Sequence, residues 1–302
     1  MRLSVSLLSR YGYPDPRLGA EAMVERTVAA REAGLDALYL GDHHSEPSGY
    51  YQNAPMLGRL LAEWPRTTGS LYLLPLWHPV ILAEQVATLA AIARGRFILQ
   101  VALGGGDEQF AAMGVQLRDR VSRFEAGLDI VRRLLAGDEV SAGEPFPIRL
   151  AHISPLPDAP IEVWLAGHAP QALDRAARMA DGWVGGPQAS IQEAVALADG
   201  YRAACAAHER DPGPIVVRRD VHVAGDGAEA ERVMAEAVES GYRGFDPEVL
   251  AIGVIDDVAA KLRLLADAGV DEVEVRHIAE DQTDVLASMG RLADVRQELV
   301  TA

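Results

Sequence analysis

Side chains able to do chemistry fall at a few points in the chain, each at the end of an apolar run. Gly41-Asp42-His43-His44 sets two imidazoles beside a carboxylate. Such a group can move protons near neutral pH, donate to a ligand or hold a metal; two histidines packed at a rim would read the same way. Metal chemistry finds no second signal, because Val5-Ser6-Leu7-Leu8 lacks a His-x-His and no His-Glu-x-x-His occurs. Gly104-Gly105-Gly106 would let backbone approach a ligand and offer free N–H groups. A tight turn would explain it equally, and Asp107 and Glu108 oppose a phosphate there. Gly167-His168-Ala169-Pro170 is a glycine turn opening a helix, an arrangement that receives phosphate. Trp77, in Leu74-Pro75-Leu76-Trp77-His78-Pro79, offers a flat apolar surface or plain core packing. Arg218-Arg219-Asp220 and Arg276-His277 bring charge into two more apolar runs, where adjacent residues face opposite sides. There is no Gly-x-Ser-x-Gly elbow, and the one cysteine, Cys205, sits in an Ala-rich stretch as a buried helical residue. Serine or cysteine nucleophiles are therefore not expected.

These residues need a scaffold, and strand-like and helix-like segments alternate from end to end. Eight apolar runs read as strands: Leu3 to Leu8, Ala37 to Leu40, Leu71 to Leu74, Phe97 to Ala102, Ile161 to Ala166, Gly182 to Val184, Val216 to Val223 and Glu272 to Val275. Helical spacing separates them, from Ala20 to Gly34 and then over 80–94, 117–136, 170–180, 189–209, 226–239 and 256–268. Ala30-Arg31-Glu32-Ala33-Gly34-Leu35-Asp36 and Ala266-Asp267-Ala268-Gly269-Val270-Asp271 echo one another as helix end, glycine stop, aspartate and strand. Repeated units of this kind build a parallel sheet, and eight of them in 302 residues fit a closed (β/α)8 TIM barrel. An open doubly wound sheet is the alternative, without a Gly-x-Gly-x-x-Gly after the first strand. One domain spanning 1–302 is expected, with an insertion around 138–160 that is either a pocket cover or a surface loop.

Composition narrows the partners. With 28 Lys+Arg against 44 Asp+Glu the net charge is −16, which repels nucleic acid and anionic membranes. The N-terminus turns polar too early for a signal peptide and no apolar run has membrane-spanning length, so a cytoplasmic protein is expected.

The ordered set Asp42-His43-His44, Leu74 to Pro79, Leu82-Ala83-Glu84-Gln85-Val86-Ala87-Thr88-Leu89, Gly95-Arg96-Phe97, Arg120-x-x-Arg123-Phe124, Ala180-Asp181-Gly182-Trp183 and Val254-Ile255-Asp256-Asp257-Val258 resembles the luciferase-like superfamily of flavin monooxygenases and F420-dependent oxidoreductases. The resemblance implies a flavin or deazaflavin at the C-terminal rim of the barrel. It implies catalysis by His43, a cis peptide at Ser70-Leu71 behind the ring, and a phosphate end held after the fourth and fifth strands by Ala102, Leu103, Gly104, Gly167, His168 and Ala169. No metal is implied. A luciferase-type phosphate arginine is replaced by Leu103, and the relatives' Gly-Ser-Ser-Pro-like loop is Gly167-His168-Ala169-Pro170 here. Losing that donor removes a contact worth about 1.5–3 kcal/mol. The expected activity is a two-component monooxygenase that uses reduced FMN from a flavin reductase, and O2, on a small-molecule substrate. Alternatives are F420-dependent hydride transfer and a flavin-free, non-catalytic barrel. Family analogy further implies a homodimer joined through the helix after His78.

Overall fold

In the computed structural model, which describes residues 1–300, eight parallel strands close into a barrel. In chain order the elements begin with β1 (Arg2–Leu7), α1 (Pro16–Glu32), β2 (Ala37–Leu40), α2 (Asn53–Leu60), β3 (Thr67–Leu73), α3 (Pro79–Ile92) and β4 (Phe97–Ala102). There follow α4 (Asp107–Ala112), α5 (Arg120–Leu135), a hairpin of β5 (Val140–Ala142) and β6 (Ile148–Ala151), then β7 (Glu162–Ala166), α6 (Pro170–Met179), β8 (Gly182–Gly185) and α7 (Ile191–Ala207). The chain continues with β9 (Ile215–Val223), α8 (Gly227–Glu239), β10 (Ala251–Gly253), α9 (Ile255–Asp267), β11 (Glu272–His277) and α10 (Gln282–Val300). Strands β1, β2, β3, β4, β7, β8, β9 and β11 pair in that cyclic order, and β10 adds to the end of β9. This is the expected (β/α)8 barrel, and the open-sheet alternative falls with the β8–β9 and β11–β1 pairings.

The echo in the sequence has a physical cause. Gly34 and Gly269 both take positive φ, 76° and 75°, which ends each helix without the cost a side chain would carry. The aspartates that follow brace the bottom of the barrel. Asp36 accepts the amide of Leu3 at 2.9 Å, Asp271 that of Ile215 at 2.8 Å, and Asp181 that of Val163 at 2.9 Å. In each case a carboxylate just before one strand takes an amide at the start of its neighbour, the first in β9 and the second in β1 and β7. The N-terminal face is thereby a stability face.

Side-chain alternation sorts the strands into two cores. Leu3, Val5, Leu38, Leu99 and Val217 point outward into the helix layer, whereas Tyr39, Ile98, Trp164, Val184 and Val216 fill the barrel. Cys205 is buried on α7, as expected.

Two readings are corrected. The third strand starts at Thr67, four residues before the apolar run, and Leu74 belongs to a 3-10 turn. Thr68 and Ser70 are legible as strand residues only once paired, because their hydroxyls bond Leu38 O and Leu40 O across the sheet. The Ser70–Leu71 peptide is trans; the cis bonds among the described residues are Glu144–Pro145 and Ser154–Pro155. The insertion is a hairpin seated on the helix layer by Phe146, over which the Arg123 guanidinium lies 4.4 Å from the ring centroid. No residue of 138–160 lines the barrel mouth. No helix among the described residues is long and apolar enough to cross a membrane.

Candidate active site

At the C-terminal ends of the strands a cavity of about 480 Å³ opens into the barrel, within the range of ligand pockets. Most of the residues expected at the cofactor meet in it: Leu71 from β3, Ala102 to Gly104 after β4, and Gly167 to Ala169 after β7. Ser70 does not, since its buried side chain faces the opposite side of β3. Gly105 and Gly106 of the glycine triplet also stay outside.

The loop after β7 is shaped for a close ligand. A Cβ on Gly167 would lie 2.6 Å from Ala172 Cβ, so only glycine fits there. The Gly167 carbonyl accepts Trp183 Nε1 at 2.7 Å and its amide donates to Val184 O at 3.2 Å, which fixes the loop. Ala169 caps α6 without a side-chain bond; Pro170 has no N–H and the Ala172 and Leu173 amides are taken up by Ala169 O, so the Gln171 amide and the helix dipole are what the first turn offers a ligand. The expected phosphate arginine is Leu103, yet the same cavity receives Arg120, the first residue of α5, which has no ion-pair or hydrogen-bond partner among the described residues. Sequence reading gave Arg120 no role, because nothing in the chain announces that the start of α5 returns to the rim.

Asp42 and His44 form a buried brace. Asp42 Oδ2 accepts the Leu73 amide and Trp77 Nε1, both at 2.8 Å, and lies 3.3 Å from His44 Nε2. Trp77 packs edge-on against Tyr72 and His44, so it is a core residue under the rim and not a lining of the cavity. His43 points elsewhere. Half exposed, it has Nδ1 3.5 Å from Glu46 Oε1 and its ring edge-on to Tyr50 at 5.6 Å. Desolvation holds its pKa below the ordinary imidazole value, outweighing the pull of Glu46 and Asp42 in the other direction. A neutral imidazole at pH 7 follows. Among the described residues no group of three or more His, Cys, Asp or Glu side chains is arranged to hold a metal ion.

The remaining wall is cationic. Arg218 and Arg276 line the mouth, while Arg219 faces outward and bonds Ser190 O, as strand alternation requires. Asp220 accepts two bonds from Arg218, at 3.0 and 3.2 Å, one from Tyr242 at 2.9 Å and one from Arg243 at 3.1 Å. Burial pushes the Asp220 pKa up, but these cations prevail and hold it below the usual carboxylate range.

Comparison with known proteins bears on the family and the fold. In sequence the chain is 31% identical over 188 residues to the F420-dependent glucose-6-phosphate dehydrogenase of Beutenbergia cavernae, an alignment covering 56% of each. A second such dehydrogenase, from Kribbella flavida, is 29% identical over 188 residues. The chain spans about half the length of these curated relatives. Among solved structures it superposes on monooxygenase RslO1 from Streptomyces bottropensis with a TM-score of 0.83, at 20% identity and covering 97% of this chain and 98% of that one. An F420-dependent secondary alcohol dehydrogenase gives 0.80 at 16% identity, with 99% of both chains covered. These structural likenesses establish the fold. A family model described as luciferase-like monooxygenase matches residues 1–302, and the chain belongs to that family.

Proposed function

We propose that the protein is an oxidoreductase that holds a flavin-type ring in the barrel mouth and uses His43 as its proton-transfer group. The observation that carries this reading is the convergence in one cavity of an apolar wall, the Gly167 cradle and the unpaired Arg120. Leu71, Ala102 and Ala166 suit a flat ring, and the α6 N-terminus with Arg120 suits an anionic tail, so the residues fit such a cofactor. Bound there, F420 supplies hydride transfer and reduced FMN supplies reaction with O2. His43, with Nδ1 toward Glu46, keeps Nε2 free to take a proton from a substrate hydroxyl or return one.

Between the two cofactors F420 has more support, because relatives matched in sequence include F420-dependent dehydrogenases. Leu103 favours the second reading. Without the phosphate arginine, FMN would be held weakly, as suits a monooxygenase that draws reduced FMN from a separate reductase. Melting the protein in the presence of each cofactor decides between them. F420 should raise Tm saturably and Arg120→Gln should weaken that binding about tenfold or more. A shift with reduced FMN alone selects the monooxygenase, and no shift with either removes both.

A further inference from the structure

We infer that Ser6, Arg218 and Arg276 form an oxyanion subsite for the organic substrate, which therefore carries a carboxylate, phosphate or sulfonate head group. The inference rests on the redox reading above, which assigns the opposite wall of the mouth to the cofactor. Along β11, Glu272, Glu274 and Arg276 face the barrel interior in turn. Glu274 is engaged by Gln100 Nε2 at 3.0 Å. Arg276 is not matched in the same way. Its Nη2 donates to the neutral Ser6 Oγ at 2.8 Å, its Nε is enclosed without an acceptor, and among the described residues no carboxylate comes within ion-pair distance. The nearby Asp220 is already filled by Arg218, Arg243 and Tyr242.

Three guanidiniums (Arg218, Arg243, Arg276) thus gather at two carboxylates (Asp220, Glu274) on this wall, in a chain whose net charge is −16. A concave wall concentrates that field on an incoming anion. Burial, with Arg218 beside it, lowers the Arg276 pKa to about 10, which leaves the group charged at neutral pH yet undercompensated. A planar oxyanion supplies what is missing, since it can take two N–H bonds from the guanidinium fork. The position is productive as well. A Cβ on Gly41 would lie 3.4 Å from both Arg276 Nη2 and the Tyr50 hydroxyl, and Tyr50 packs on His43. A head group at Arg276 therefore stands beside the loop that carries His43, with the substrate's next carbons directed along it.

The test titrates the full chain calorimetrically with acetate, inorganic phosphate and methanesulfonate at constant ionic strength, without cofactor and with saturating F420 or FMN. At least one anion should bind saturably. Arg276→Gln should weaken that binding at least tenfold, and by more than Arg120→Gln does. Where a cofactor binds, it should not compete with the anion. Should the Gln variant fail to fold, Arg276→Lys keeps the charge but loses the fork, and a three- to tenfold weakening is expected. Absence of saturable binding, indifference to the Arg276 variants, or competition with the cofactor would each overturn the inference. Anion binding that depends on Arg276 without any cofactor shift would fail the redox reading alone. A cofactor shift without anion binding would fail this inference alone.

Discussion

Gly167→Ala should damage both stability and turnover, and the size of the damage follows from the atoms packed around it. The new Cβ would sit 2.6 Å from Ala172 Cβ, about 1 Å inside the ordinary carbon contact of roughly 3.5–4.0 Å. Neither side can yield freely. The Gly167 carbonyl is held by Trp183 at 2.7 Å, and Ala172 is tied into the first turn of α6 by its bond to Ala169 O at 2.8 Å. Overpacking of this kind costs about 1–3 kcal/mol, or roughly 2–6 °C in Tm for a chain of this size. A shift of the loop by about 1 Å would lower turnover by on the order of 100-fold. Gly105→Ala is the matched control, since nothing lies within 4 Å of its Cβ and its φ is not positive; it should stay within about 0.5 kcal/mol of wild type. Adding Ala172→Gly should relieve the clash, because the nearest remaining atoms there are Leu165 Cδ2 at 3.9 Å and Ala172 Cα at 4.0 Å, both at ordinary contact distance. The double variant then bears mainly the glycine penalty of about 0.5–1 kcal/mol. Thermal and urea melts of the wild type, Gly167→Ala, Ala172→Gly and the double variant complete a double-mutant cycle, with Gly105→Ala run beside them. If Gly167→Ala melts like Gly105→Ala, or the second substitution restores nothing, the cradle is not the rigid element described.

Further tests address other parts of the site. His43→Asn should lower kcat/KM by about 10²–10⁴-fold while leaving Tm unchanged. In the wild type the acid limb of the kcat/KM profile should fall below pH 6.5, since the lowered pKa keeps the base form available at lower pH. Glu46→Gln, by removing a charge that raises that pKa, should move the limb further down. Trp77→Phe should cost about 1.5–3 kcal/mol in urea unfolding, the worth of a bond to a charged acceptor, because it removes one of two donors to the buried Asp42. His277 is buried outside the barrel, and desolvation, helped by His222, drops its pKa from 6.5 to about 3. Between those values the unfolded chain binds the extra proton, so folded stability is lost as pH falls through 6.5, by up to about 1.4 kcal/mol per unit. His277→Gln should flatten that decline; an unchanged slope from pH 6.5 to 4 would assign the acid sensitivity to other groups.

The barrel was legible because strands buried on both faces are written as short apolar runs, and glycine with aspartate marks where β2 and β11 begin. The start of β3 was hidden because Thr67, Thr68 and Gly69 look like a loop until their hydroxyls and backbone find partners on β2. α2, α4 and α10 lie outside the periodic stretches, being short or mixed in their spacing. Of the site, the loops after β4 and β7 could be placed, since a ligand must sit where strands end. What periodicity could not convey was convergence. Arg120 returns to the rim through the turn before α5, and Arg276 lacks a counter-charge only because Asp220 is consumed by Arg218, Tyr242 and Arg243. Those are facts of three-dimensional neighbourhood, and spacing along the chain does not encode them.

The bond from Trp183 Nε1 to the Gly167 carbonyl has an optical consequence. It places a fully buried indole, rigid and with its N–H occupied, one hydrogen bond from the loop that would carry the cofactor's anionic end. Such an indole emits from a dry and fixed environment, and both flavins and deazaflavins absorb where tryptophan emits. The protein therefore carries its own unlabelled reporter of occupancy. The share of cofactor quenching that is lost in Trp183→Phe, over what Trp64, Trp77 and Trp164 retain, would follow binding in real time through the very residue that holds the cradle still.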